Sequence, residues 1–355
     1  MTTTWGGLVI GGFDGTSLPD AFALALSTGR RGGAIVFKRN VAGGLAQVAA
    51  LARAIHGAAG EAPLIGIDQE GGRVVRLGAP LIEVPAMRTV ASWGDVAFAE
   101  RIAGAVGAEL VALGFTIAFA PVLDVNTRSD NPVIGDRAFG DDPDTCARFG
   151  VAWIRGLQSA GLLACGKHFP GHGDSAKDSH VDLPVVDRTR EQLEQVELAP
   201  FRAAAAAGVA SMMTAHVVYP AIDSALPATL SRAACTGLRE RIGFRAMLVS
   251  DDLEMRAIAA RWSIEDAAVQ AIEAGCDALL ICTSAENQDR AVEALTRKAE
   301  ASPSFRARCE QAGARVTEAR RHATARSPDD ATVARVIGGE QARDVAGQIA
   351  RRLGR

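Results

Sequence analysis

Short apolar, β-branched runs recur along the chain, each separated from the next by a longer stretch with helical spacing. Eight read as strands: GLVIG at 7–11, GAIVF at 33–37, LIGID at 64–68, TIAFAPVLD at 116–124, LLACGKHF at 162–169, ASMMTAHVV at 210–218, AMLVSDD at 246–252 and ALLICT at 278–283. Their apolarity is near-continuous rather than alternating, the pattern of strands covered on both faces. The segments between them, such as DVAFAERIAGAVGAELVALG at 95–114 and TREQLEQVELAPFRAAAAAG at 189–208, have the period of amphipathic helices. Thr189 with Gln192, and Ser263 with Asp266, have capping-box spacing and mark helix starts; Gly208 and Gly275 stand where those helices should stop. Strand and helix alternating eight times predicts an α/β fold, a single (β/α)8 barrel of the TIM type with extra C-terminal helices. A doubly wound open sheet is the alternative. The expected division is a catalytic barrel over 1–300 and a helical extension over 301–355, packed on the barrel or on a partner. Arg320–Arg321 and Arg351–Arg352 read there as a solvated helical face.

Composition narrows the function classes. The 355 residues carry a formal charge of −3, so no global field attracts nucleic acid or an anionic membrane. The N-terminus lacks a basic segment followed by an apolar one, and no run of about 18 apolar residues occurs. Six cysteines are scattered without a CxxC pair, and Cys165 and Cys282 lie inside apolar runs as buried thiols would. The expected setting is reducing and cytoplasmic.

The polar residues fall at strand ends, where a barrel of this kind places its chemistry. Run three ends at Asp68, run four at Asp124, run five at Lys167 and His168, run six at His216, and run seven at Asp251 and Asp252. A single aspartate after a strand is an ordinary helix cap; five strands ending in Asp, Lys or His predict a polar pocket. Arg73, Arg76 and Arg137 follow glycine-containing turns, and guanidinium groups there would hold carboxylates or sugar oxygens in fixed directions.

Residues 167–184, KHFPGHGDSAKDSHVDLP, hold three of the six histidines. Their spacings cross Pro170, Gly171 and Gly173, so no helix aligns them as metal ligands. Proton transfer is the better reading. Asp178 and His180 stand on one side of an extended segment, and a carboxylate beside an imidazole orients it and favours its protonated form, as a general acid requires. The neighbouring glycines leave such an arm free to swing.

Taken together, KHFPGHGDSAKDSHVDLP, IDQEGGRVVRL, PVLDVN, VIGDRAFG, TAHVVYP and VSDDLEM resemble, in order and across roughly residues 5 to 300, the signature of family 3 glycoside hydrolases. The likeness is to the bacterial single-domain β-N-acetylglucosaminidases of peptidoglycan recycling. It implies a retaining exo-hydrolase that removes terminal GlcNAc from peptidoglycan fragments of the GlcNAc-1,6-anhydroMurNAc type through a covalent glycosyl-aspartyl intermediate. Asp251 would match the nucleophile, and Asp178 with His180 the acid/base dyad. Asp68, Arg76, Arg137, Lys167 and His168 would match positions that bind the sugar. The strand pattern alone does not choose between Asp251 and Asp252. No metal or other cofactor is implied; the partner is a carbohydrate, and the chain is expected as a monomer or weak homodimer. A phosphorylase is the nearest alternative, since neutral imidazole does not repel an anionic acceptor; a β-glucosidase of the same family is another.

Overall fold

A computed structural model describes residues 4–175, 182–324 and 326–355. The eight runs become eight parallel strands: β1 Val9–Gly11, β2 Gly33–Val36, β3 Leu64–Ile67, β4 Ile117–Ala118, β5 Leu163–Phe169, β6 Ser211–Thr214, β7 Met247–Asp252 and β8 Ala278–Ile281. Each pairs with its sequence neighbour, and β1 closes onto β8, so the sheet is a barrel without edges. Every strand residue is buried except Asp251 and Asp252, which emerge where β7 leaves the core. The strands approach tightly: a Cβ on Gly33 would meet the Leu64 carbonyl at 2.0 Å. This is the (β/α)8 barrel that the pattern predicts.

The fourth run is longer than its strand. Pro121 has no N–H to give a ladder, so the regular strand stops at Ala118 and the chain continues through single contacts, among them Leu123 N to the Lys167 carbonyl at 2.7 Å. The sixth run also stops early, at Thr214; Val218–Tyr219 instead pairs antiparallel with Asp223–Pro227 in a hairpin that the sequence pattern did not reveal. The caps fall where expected. Thr189 and Gln192 form the reciprocal box, and Ser263 accepts from the Asp266 amide. Gly208 and Gly275 take φ of 74° and 135°.

The helix Pro303–His322 buries Phe305, Cys309, Ala312, Val316 and Ala319. Asp277, fully buried, gathers Arg239, Arg308 and Arg315 at 2.8–3.0 Å, which ties that helix to β8. One expectation is corrected here. Arg320 is not on a solvated face: its guanidinium donates to the carbonyls of Gly7 and Gly32 beneath β1 and β2, the latter using a second lone pair beside the bond it accepts from the Leu64 amide. Arg321, Arg351 and Arg352 are exposed as expected, Arg352 also pairing with Asp95 and lying over the Phe98 ring. No helix among the described residues is long and apolar enough to cross a membrane.

Candidate active site

The carboxyl ends of the strands surround a cavity of about 420 Å³. Asp68, Arg76, Arg137, Lys167, His168 and Asp251 all line it, brought together from β3, β5, β7 and two loops. Asp68 follows β3 directly, and Glu70, two residues on, reaches the same wall. Asp68 accepts from Arg76 and from Lys167, each at 2.8 Å. Glu70 accepts from Lys167 at 2.6 Å and from both arms of the Arg137 fork at 2.8 and 2.9 Å. The result is an alternating chain, Arg76–Asp68–Lys167–Glu70–Arg137, whose three cations exceed its carboxylates by one charge. Burial alone would raise the Glu70 pKa, but Arg137 and Lys167 outweigh it and hold the carboxyl well below its usual range. Burial would likewise lower Lys167, yet Asp68 and Glu70 raise it, so the ammonium stays charged. Buried Gln69 accepts from the amides of Arg76 and Leu77 and donates to the Leu77 carbonyl, which sets the turn that presents Arg76.

Asp124, at the end of the fourth run, is fully buried and organises the two histidines beyond β5. Its Oδ1 accepts the amides of His168 and His172, and its Oδ2 accepts the His168 Nδ1–H at 2.7 Å. A carboxylate only accepts, so His168 turns Nε2 away from Asp124. Burial, helped by His168, pushes His172 down to about 4, and the ring is neutral at physiological pH. Its Nδ1 meets Ser175 Oγ at 2.6 Å.

At β7 two adjacent carboxylates diverge. Burial disfavours ionisation of Asp251, but His216, His168 and Lys167 outweigh it and hold the pKa below the ordinary value. Its Oδ1 accepts the Asp252 amide at 2.8 Å. Asp252 is pushed up to about 7 by burial, with the nearby Glu254 and Asp251 adding to it against the opposing amides of Glu254 and Cys282. One carboxylate is thus an anion at neutral pH while its neighbour holds a proton for much of the time. The strand pattern leaves the pair undecided; their surroundings separate them.

Asp178 and His180 lie outside the described residues. On their flanks Asp174 accepts from Thr127 and Arg188, and Asp182 accepts from Arg261 at 3.2 Å. Among the described residues no group of three or more His, Cys, Asp or Glu side chains is arranged to hold a metal ion. Sequence reasoning missed Glu70, Asp124 as the orienter of His168, and His172. The signal for Glu70 was its two-residue spacing from Asp68; nothing local marks the other two.

Residues 20–319 match the family described as the glycosyl hydrolase family 3 N-terminal domain. The β-hexosaminidase of Thiobacillus denitrificans is 41% identical over 288 residues, covering 79% of each chain, and that of Nitrosomonas eutropha is 39% identical over 287. Among solved structures, native NagZ from Neisseria gonorrhoeae superposes with a TM-score of 0.83 at 30% identity, covering 98% of this chain and 97% of that one. A family 3 β-N-acetylglucosaminidase from Paenibacillus sp. FPU-7 gives 0.87 at 36% identity, covering 99% of this chain and 69% of that one. The same gonococcal protein has been solved with N-trifluoroacetyl-D-glucosamine bound. Matches of this length and identity, on a barrel whose mouth carries these charged residues, mean that the chain is a glycoside hydrolase and belongs to glycosyl hydrolase family 3.

Proposed function

We propose that the enzyme is a retaining exo-β-N-acetylglucosaminidase that removes terminal GlcNAc from peptidoglycan-derived fragments in the cytoplasm. The substrate class rests on the likeness to β-hexosaminidases and to a protein solved with a GlcNAc analogue. A cavity of about 420 Å³ is in the lower range for small-ligand pockets and suits one sugar residue with its glycosidic oxygen, hence exo action. Asp68, Arg76, Arg137, Lys167 and His168 bind the ring hydroxyls, with oxygens and N–H groups fixed by the charge chain before substrate arrives.

In the reaction, the Asp251 carboxylate attacks the anomeric carbon while protonated His180, oriented by Asp178, donates its proton to the departing oxygen. The ester so formed links C1 to Asp251. Neutral His180 then removes a proton from water, the water oxygen bonds to C1, and the ester electrons return to Asp251. Two inversions give net retention. The observation that carries this reading is Asp251 lining the same cavity as Asp68, Arg76, Arg137, Lys167 and His168, its carboxyl held below the ordinary range while burial pushes the adjacent Asp252 up to about 7.

The test is turnover of aryl N-acetyl-β-glucosaminides. Wild type should release the β-anomer first, seen by NMR, and the product should be free GlcNAc with or without phosphate. Asp251→Ala should lose on the order of 10³-fold or more in kcat on every leaving group while unfolding at the wild-type temperature. Release of the α-anomer, formation of a sugar 1-phosphate, or substantial activity in the variant would each contradict the reading.

A further inference from the structure

His216 ends the sixth run, is fully buried, and takes no part in the chemistry above. Its Nε2 lies 2.8 Å from the backbone carbonyl of Asp252. A carbonyl only accepts, so Nε2 carries a hydrogen. The same residue's amide donates to Asp251 Oδ1 at 2.8 Å. One end of Asp252 therefore aims the nucleophile's carboxylate, and the other is tied to an imidazole on a different strand.

The far side of the ring faces a second acceptor. His216 Nδ1 is 2.7 Å from Thr229 Oγ1, which lies 3.1 Å from the Ala215 carbonyl and 2.9 Å from Thr214 Oγ1. Thr229 has one hydroxyl hydrogen. If it goes to the Ala215 carbonyl, the Thr229 lone pairs receive the hydrogens of Thr214 and of Nδ1. With that order Nδ1 carries a hydrogen as Nε2 does; the opposite order, Thr229 donating to Nδ1 of a neutral ring, takes that hydrogen away from the Ala215 carbonyl. All these side chains are fully buried, where a lost hydrogen bond is costly.

We infer that His216 is a positioning residue, an imidazolium that pins the strand end bearing Asp251 and holds the Asp251 carboxylate ionised for attack. This rests on the reading of Asp251 as the nucleophile. The charge also serves the second half of the reaction: when water displaces the ester, the electron pair returns to Asp251 beside a fixed positive charge. His216 acts on Asp251 in the same direction as His168 and Lys167 from β5, while Asp252, on its own strand, opposes them and is itself pushed up to about 7.

Three variants separate tether from charge. His216→Gln keeps an N–H for the Asp252 carbonyl without the charge. His216→Leu removes both. Thr229→Val, nearly isosteric, leaves Nε2 tethered but takes away the acceptor that Nδ1–H needs. The measurement is the pH profile of kcat/KM on a nitrophenyl N-acetyl-β-glucosaminide, whose leaving group needs little protonation. The acid limb should move up by about one unit in His216→Gln and His216→Leu, as expected for loss of a neighbouring opposite charge, and in the same direction in Thr229→Val. His216→Leu should also lose roughly 100-fold in kcat, more than His216→Gln. A purely structural role would lower activity and unfolding temperature but leave the acid limb at its wild-type pH in every folded variant; that result overturns the inference. Should His216→Leu not fold, Thr229→Val and His216→Gln still decide. Mapping the residue esterified in wild type by a 5-fluoro-N-acetylglucosaminyl fluoride distinguishes the two failures. Label on Asp251 with an unmoved limb sinks the role of His216 alone, whereas label on another residue sinks the nucleophile and this inference with it.

Discussion

At the scale of single residues, charge is placed by pairs rather than by exposure. Glu70 is buried and anionic because Arg137 grips both its oxygens and Lys167 a further lone pair. Its pKa in the folded protein lies below the unfolded value near 4.5, so its contribution to stability is complete above that pH and is lost as pH falls through the folded value. Glu70→Gln should cost about 3 kcal/mol at pH 7, the size expected when one partner leaves a buried pair, and should raise KM as Arg137 and Lys167 lose their anchor. Urea unfolding at pH 7 and pH 3.5 checks this: the gap between wild type and variant should narrow at the lower pH. An equal gap at both would show that packing, not charge, makes Glu70 matter.

Secondary-structure elements carry the next level of the design. The helix Val96–Ala112 buries Glu109, which accepts the Ile82 amide at 3.0 Å from the segment that also carries Arg76. Burial pushes Glu109 up to about 7, against the Ile82 and Gly338 amides that favour its charged form. A raised folded pKa means stability that is full below the unfolded value near 4.5 and falls away as pH rises through about 7. Glu109→Gln removes that dependence. Its unfolding temperature relative to wild type should climb between pH 5 and pH 8, and a constant difference would refute the protonation of Glu109. Elements were also the most legible part of the sequence. A strand covered on both faces must be apolar throughout, so all eight strands could be read directly. The boundaries that failed did so for local reasons, Pro121 in the fourth run and the hairpin that begins at Val218 in the sixth. Strand-end residues such as Asp68, Lys167 and Asp251 were legible for the same reason as the strands. Asp124 under His168, His216 under Asp252 and Arg320 under β1 were not, because each acts on a residue 36 or more positions away, where no local pattern points.

In the whole molecule the two ends of the barrel divide the work. At the amino-terminal end the helix Pro303–His322 packs on the strand starts, with Arg320 on the carbonyls of Gly7 and Gly32 and Asp277 holding Arg239, Arg308 and Arg315. At the carboxyl end a wall of paired charges and two adjacent carboxylates, Asp251 held below the ordinary range and Asp252 pushed up to about 7, line one cavity. That arrangement matters only if Asp251 bonds to the sugar. The most direct measurement is the intact mass of the enzyme after exposure to a 5-fluoro-N-acetylglucosaminyl fluoride, followed by peptide mapping. Addition of one glycosyl group per chain, located on Asp251, is the predicted result. A modified residue other than Asp251, or complete turnover with no covalent species at any time, would contradict it.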